Sequence, residues 1–409
     1  MADDADLLIR GGKLWDGSGA ARRADLHIRA GRIAAVADAL PALPGAQTID
    51  AGGGLVMPGL VDGHAHLDKT LWGTPWHSHR AGTTLAERIA NERRVRHELG
   101  LSPQLQSARL VAHMVARGTT HARSHVDVGP EVGLAHLHGV LATREAQRDA
   151  IDLQLVAFPQ AGVMIRPGTL DLLDQAAHEG AEVIGGIDPL GIDGDPVAQL
   201  DAVFAIAARR GCGIDIHLHD RGEAGVATVE RIIERTRALG LAGRVAISHA
   251  FCLGMLEPRR LDAIAAQLAA CRITLMTHGP GGGTPFPPVR ALAERGVHLV
   301  TGSDGVRDSW TPLNTGDMLE RAYLVAYVNG LRHDADLELA LRMASVAGAE
   351  LMACDDYGLG VGCAADLVIV EAENAAEAVA LHPPRRWVIK RGRIVARDGR
   401  SLLPGADRT

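Results

Sequence analysis

Aromatic side chains are scarce in this chain: five Trp, three Tyr and four Phe among 409 residues. Few flat apolar walls are available, so the position of each one matters if a pocket is to hold a planar ligand. Cys212, Cys252, Cys271, Cys354 and Cys363 form no C-x-x-C pair and, being odd in number, cannot all pair within one chain. A reducing, cytoplasmic setting is the expectation. The formal net charge is -7 with both signs interspersed, so no basic stripe exists to neutralise a phosphate backbone and nucleic acid is not expected as a partner. No apolar run reaches the roughly 18 residues of a membrane span, and no basic flank with an apolar core marks a secretory leader at the N-terminus. Neither a membrane nor an export route is expected.

Histidine is plentiful instead, with 19 residues. Imidazole is the commonest side chain for binding a transition metal, so the placement of these residues carries most of the functional information.

The two ends share a texture of short strands and glycine turns. Asp6 to Arg10, a Gly11-Gly12 turn, Ala24 to Ile28, a Gly31 turn, Ile33 to Val36 and Gln47 to Asp50 lie at one end. Asp366 to Val370, Arg386 to Lys390, an Arg391-Gly392 turn and Arg393 to Val395 lie at the other. They predict an antiparallel unit, a small β-sandwich domain composed of residues 1–57 and 355–409. Between them, apolar β-branched runs alternate with helical patterns such as Thr228 to Leu239, Leu261 to Ala270 and Pro288 to Arg295. Eight strands are predicted: Gly59 to His66, Thr119 to Asp127, Leu153 to Gln160, Glu182 to Asp188, Gly213 to His219, Val245 to His249, Ile273 to His278 and His298 to Asp304. Eight βα units close a (β/α)8 barrel, here residues 58–354, giving an α/β fold class.

Nearly all of these strands end in a metal ligand or an acid/base group: His64 and His66, Asp127, Gln160, Asp188, His217 and His219, His249, His278, Asp304. Active sites of such barrels sit at the C-terminal rim of the strands. In His64-Ala65-His66 and His217-Leu218-His219, side chains two apart point to the same side, and strands one and five face each other across a barrel. Adding Asp304 gives His64, His66, His217 and Asp304, a set that suits Zn2+, or Fe2+ as the alternative, with a position left for water. A divalent ion lowers the pKa of its water to about 7. Asp304 is the natural first acceptor of that proton, His249 is placed to hold the nucleophile or polarise the attacked carbon, and His219 is the candidate for delivering a proton to a departing amine.

Pro58-Gly59-Leu60-Val61-Asp62-Gly63-His64-Ala65-His66-Leu67-Asp68-Lys69 resembles the opening of the amidohydrolase superfamily barrel. Ser124-His125-Val126-Asp127-Val128, Leu153 to Gln160 and Ile247-Ser248-His249 resemble its cytosine deaminase branch. His217-Leu218-His219-Asp220, Lys69, Gly185-Gly186-Ile187-Asp188-Pro189 and Ser303-Asp304-Gly305-Val306-Arg307-Asp308 are similar to N-isopropylammelide isopropylaminohydrolases of that branch, which remove an alkylamine from an s-triazine ring. The resemblance implies a metal at His64, His66, His217 and Asp304, with His219, His249 and Lys69 around the substrate and Gln160 binding the ring. Asp220 stands where cytosine deaminases carry a catalytic Glu, one methylene shorter. Binuclear relatives end strand four with a carbamylated lysine; here that strand ends at Asp188, which points to a single metal.

Gln160 offers a donor and acceptors to an amide-like ring edge. Lys69 either stays cationic beside a ring oxyanion or pairs with Asp68 as a solvated rim charge. Trp310, with Trp72 and Trp76, follows strands one and eight and is a candidate pocket wall. His121, His125, His113, His136 and His138 read as packed or hydrogen-bonded residues. Gly279 to Pro285 lacks the Lys-Ser or Lys-Thr of a phosphate loop and reads as a mobile rim loop. The expected activity is hydrolytic release of ammonia or an amine from a ring carbon of a small nitrogen heterocycle, cytosine-like or an aminotriazine. Opening of a cyclic amide and a non-catalytic ligand-binding barrel are the alternatives, and self-association into a homo-oligomer is expected.

Overall fold

The computed structural model describes residues 6–279 and 285–403. Eight parallel strands form one sheet in chain order: β1 Leu60–Ala65, β2 Thr119–Asp127, β3 Asp152–Phe158, β4 Val183–Ile187, β5 Gly213–Leu218, β6 Val245–His249, β7 Thr274–Met276 and β8 His298–Val300. Helices such as Pro103–Ala116, Ala135–Ala146, Pro196–Arg210 and Gly222–Ala238 fill the crossovers. Their apolar faces, including Leu110, Leu137, Val203 and Ile232, merge with Leu155, Ile184 and Ile216 of the strands into one core.

The ring closes between β1 and β8. Gly63 N–H donates to Thr301 O at 3.0 Å, Asp304 N–H donates to His64 O at 2.8 Å, and Ala65 and Asp304 form a parallel bridge. Such close approach demands glycine: a Cβ on Gly302 would sit 2.5 Å from the backbone of His64. Asp62 reinforces the seam, accepting from the N–H of His64 at 3.2 Å and of Ser303 at 2.9 Å.

Strands β7 and β8 are shorter than their apolar patterns predict. The chain leaves the ladder before His278 and Asp304, and Asp304 takes a left-handed φ of 59°, outside the extended region. The helix predicted from Thr228 begins earlier, at Gly222, one turn after the site residues of β5. The glycine-rich loop at 280–284 lies outside the described residues.

The chain ends build a nine-stranded sheet, and two expectations about it are corrected. Gly11-Gly12 is not a turn: strand Leu7–Leu14 runs through it with a register shift between Ile9 and Gly12, so the glycines accommodate a bulge. The sheet is mixed, because Gln47–Asp50 and Leu55–Pro58 both run parallel to Leu7–Leu14. Leu55–Pro58 then pairs antiparallel with Leu367–Val370, which joins the two ends of the chain. Leu7, Ile9, Leu26, Ile28, Ile49, Ile369 and Ile389 form its core.

A buried cation links this sheet to the barrel. Lys390 Nζ donates to Asp152 at 2.6 Å, to Asp366 at 2.7 Å and to His121 Nε2 at 3.3 Å. Burial, with Lys390 next in importance, pushes His121 down to about 4. The folded state thus binds this proton less readily than an unfolded chain, so the stability it contributes is present above about 6.5 and is lost as pH falls toward 4. His121→Asn is expected to flatten the decline in melting temperature between pH 6.5 and 4.5, measured by scanning fluorimetry. An unchanged slope would remove His121 from the account. Gly302→Ala is expected to cost about 1–3 kcal/mol in urea unfolding, the usual penalty for overpacking. A loss below a few tenths of a kcal/mol would show that the seam yields.

Candidate active site

Imidazoles converge at the C-terminal mouth of the barrel. Ring centroids lie 3.9 Å apart for His64 and His125, 4.6 Å for His64 and His217, 5.5 Å for His66 and His217, and 5.2 Å for His217 and His249. Asp304 Oδ1 is 3.2 Å from His66 Nε2 and 3.6 Å from His64 Nε2. One ligand atom each from His64, His66 and Asp304 falls within 4.8 Å of the others, and the same holds for His64, His217 and His249. His64 is common to both groups, so it links His66 and Asp304 in one to His217 and His249 in the other.

The chemistry of this cluster fits a divalent cation. His64 Nε2, His66 Nδ1, both ring nitrogens of His217 and His249 Nε2 are buried without a hydrogen-bond partner. Buried polar atoms are seldom left so. Burial pushes His217 and His249 well below the usual histidine range, and His66 is lowered by burial and Lys69. Neutral rings present lone pairs. Burial works to raise the Asp304 carboxylate, yet the histidines grouped around it bring it well below the ordinary range. Imidazoles and a carboxylate grouped in this way are donors of the kind that a divalent transition ion accepts.

A cavity of about 90 Å3 opens above the cluster, bounded by His66, Lys69, Phe158, Gln160, His217, His219, His249, Asp304, Asp308 and Trp310 among others. Phe158 at the end of β3 stacks on His217 at 4.1 Å. Lys69 is buried, not a solvated rim charge, and its partner is not Asp68. Its Nζ donates to Gln160 Oε1 and to Asp127 at 3.2 Å, and lies 3.7 Å from Glu92. Burial alone would strip its proton, but the carboxylates of Asp127 and Glu92 outweigh that and raise its pKa, so it stays cationic. Asp68 instead meets His136 Nδ1 at 2.6 Å.

His219 sits at the mouth with its Nδ1 2.9 Å from Asp188 Oδ2, stacked on His249 at 4.4 Å. A third of its side chain is exposed, and the packing around the rest works against a charge. The Asp188 carboxylate overcomes this and raises the pKa. Asp220 is not brought to the cavity. Its carboxylate turns to the adjoining loop and accepts from the N–H groups of Leu190 at 3.2 Å and Gly191 at 3.3 Å. Asp188, His249 and Asp304 all adopt positive φ, of 32°, 72° and 59°. Non-glycine residues are held there only where surrounding structure over-determines them, and such positions cluster at functional sites.

Of the tryptophans, Trp310 lines the cavity and its Nε1 donates to Glu92, whereas Trp76 is exposed and Trp72 packs 3.9 Å from His113. His113, His121, His136 and His138 have hydrogen-bond partners. His125 does not: both its ring nitrogens are buried and unpartnered beside His64. The sequence reading treated it as a packed residue, as it is, without singling out its inward position two residues before Asp127 on β2. It also missed Asp308, which burial pushes up to about 6, and Glu92, pushed by burial up to about 7. Asp308 lies four residues after Asp304. Glu92 lies on helix Leu85–Leu99, and no strand-end signal could have marked it.

A closed parallel barrel with candidate metal donors at the carboxyl ends of its strands has the architecture of a barrel hydrolase. The amidohydrolase family model matches residues 47–396. The structure resembles that of N-isopropylammelide isopropylaminohydrolase from Burkholderia multivorans, with a TM-score of 0.92 and 45% identity over 97% of this chain and 100% of that one. It also resembles 5-methylcytosine deaminase from Klebsiella pneumoniae bound to 5-fluorocytosine, with a TM-score of 0.84 and 27% identity over 95% of this chain and 97% of that one. N-isopropylammelide isopropyl amidohydrolase of Pseudomonas sp. strain ADP is 31% identical over 97% of this chain and 99% of its own length. This chain belongs to the amidohydrolase family and is a hydrolase of carbon–nitrogen bonds.

Exhaustive chelation is expected to lower the melting temperature by several degrees, with recovery on adding Zn2+, because a ligand of the folded state alone stabilises it. His217→Ala should abolish that difference. A melting temperature indifferent to chelator would argue against a metal at this cluster.

Proposed function

We propose that the chain is a mononuclear metal-dependent aminohydrolase that releases an amine or ammonia from a ring carbon of an s-triazine. The observation that carries this reading is the joint arrival of Asp304, of His219 held by Asp188, and of the Gln160–Lys69 pair at one small cavity. Similarity over nearly the full length to two N-isopropylammelide hydrolases favours the triazine ring. Likeness to 5-methylcytosine deaminase supports an aminopyrimidine as the second reading.

His64, His66, His217 and Asp304 would hold the ion. When bound, a divalent ion supplies a Lewis acid and lowers the pKa of a coordinated water to about 7. Asp304, a carboxylate at neutral pH, accepts the proton of the attacking water. His219, oriented through Nδ1 by Asp188, delivers a proton to the departing nitrogen. His249, stacked on His219, faces the attacked carbon. Gln160 spends its carbonyl on Lys69 and so presents its NH2 as a donor to a ring acceptor. Lys69, kept charged between Asp127 and Glu92, favours negative charge developing on the ring. Phe158 and Trp310 exclude water from the sides. Asp220, directed at the neighbouring loop, has no part in proton transfer, which separates this site from one that relies on a strand-five carboxylate.

Amine release from N-alkylated aminotriazines and ammonia release from aminopyrimidines test the reading directly, and faster turnover of the triazines is expected. Asp304→Asn and His219→Asn should each lower kcat by about 100-fold or more, the usual scale for a lost proton-transfer group. Asp220→Asn should stay within about threefold. Full activity in Asp304→Asn, or collapse in Asp220→Asn with His219→Asn unaffected, would refute the proposed roles.

A further inference from the structure

We propose that Ser248, Asp215 and Arg123 form a buried relay that fixes the tautomer and aim of His64 and so sets how tightly the site holds its metal. The three are positioning residues on β6, β5 and β2, each at most 4% exposed, and the relay crosses the barrel interior below the metal cluster.

Its polarity follows from the donors available. Arg123 donates through one terminal nitrogen to Asp215 Oδ2 at 3.0 Å, through the other to Leu351 O at 2.9 Å, and through Nε to Gln154 Oε1 at 2.8 Å. The guanidinium is thereby fixed from three directions and pairs with Asp215, whose two oxygens accept from Arg123 and Ser248. Ser248 Oγ lies 2.7 Å from Asp215 Oδ1, so its O–H must point there. Serine has one hydrogen to give. Its Oγ is therefore an acceptor toward His64 Nδ1 at 2.9 Å, and Nδ1 must carry the ring proton. The lone pair of His64 then resides on Nε2, which faces Asp304 Oδ1 at 3.6 Å with no hydrogen-bond partner of its own. Two acceptors held that close call for a cation between or beside them. Without the relay, His64 could take the other tautomer and present an N–H where a lone pair is needed.

The inference rests on His64 being a metal ligand, and the experiment separates the two. Zn2+ affinity of the full chain is measured by competition with a chromophoric chelator, together with the melting temperature of the metal-free protein. Ser248→Ala is expected to weaken Zn2+ binding by about 10–100-fold, the usual scale for partners of ligating histidines. Ser248→Thr, which keeps the hydroxyl, should remain within about threefold of the wild type. Wild-type affinity in Ser248→Ala, with affinity lost in His64→Asn, overturns the relay alone. Wild-type affinity in both overturns the reading of His64 as a ligand. In case Ser248→Ala fails to fold, ring 15N shifts of His64 in the wild type decide the matter: protonation at Nδ1 is expected, and protonation at Nε2 refutes the relay.

Discussion

The site depends on closure of the barrel between its first and last strands. Strand β8 leaves the ladder at Val300, yet the chain continues alongside β1 through Gly302, whose missing side chain lets the two backbones touch. Asp304 is delivered to His64 and His66 by that contact and by the left-handed turn that follows it. A carboxylate separated by some 240 residues from its histidine partners would otherwise have no reason to meet them. Asp62 accepts from both sides of the same seam, so the residue that opens the first motif also braces the last.

Burial then decides the chemistry of what closure assembles. Imidazoles in water are half-charged at about pH 6.5, but here burial pushes His217 and His249 well below that range. The same burial would neutralise Lys69 were it not set between Asp127 and Glu92. One wall of the cavity is thus a set of lone pairs and the other a permanent cation. Opposed characters of this kind suit a reaction in which water is activated on one side and charge accumulates on a ring at the other.

Much of this was legible along the chain. Polar residues at the ends of apolar, β-branched runs marked His64, His66, His217, His219, His249 and Asp304, because a strand that ends at the active mouth must switch there from packing to chemistry. Gly11-Gly12 misled, since two glycines serve a bulge as well as a turn, and local sequence does not distinguish them. His125 and Arg123 lie in a run that reads as ordinary strand, and only the barrel interior reveals that they face His64 and Asp215. Asp220 illustrates the opposite error: it follows two site histidines, yet one further residue along the chain rotates it toward the loop of Leu190.

Sequence alone determined the alternation of strand and helix, the pairing of the chain ends into a second sheet, and the identity of the donors at strand ends. These are set by periodicity and residue chemistry, which are local. Tertiary structure alone decided that Glu92 and Trp310 share a hydrogen bond, that Lys69 is buried between carboxylates, and that Asp220 is excluded. Those outcomes depend on which side chains reach a common point across strands distant in sequence, and no local pattern carries that information.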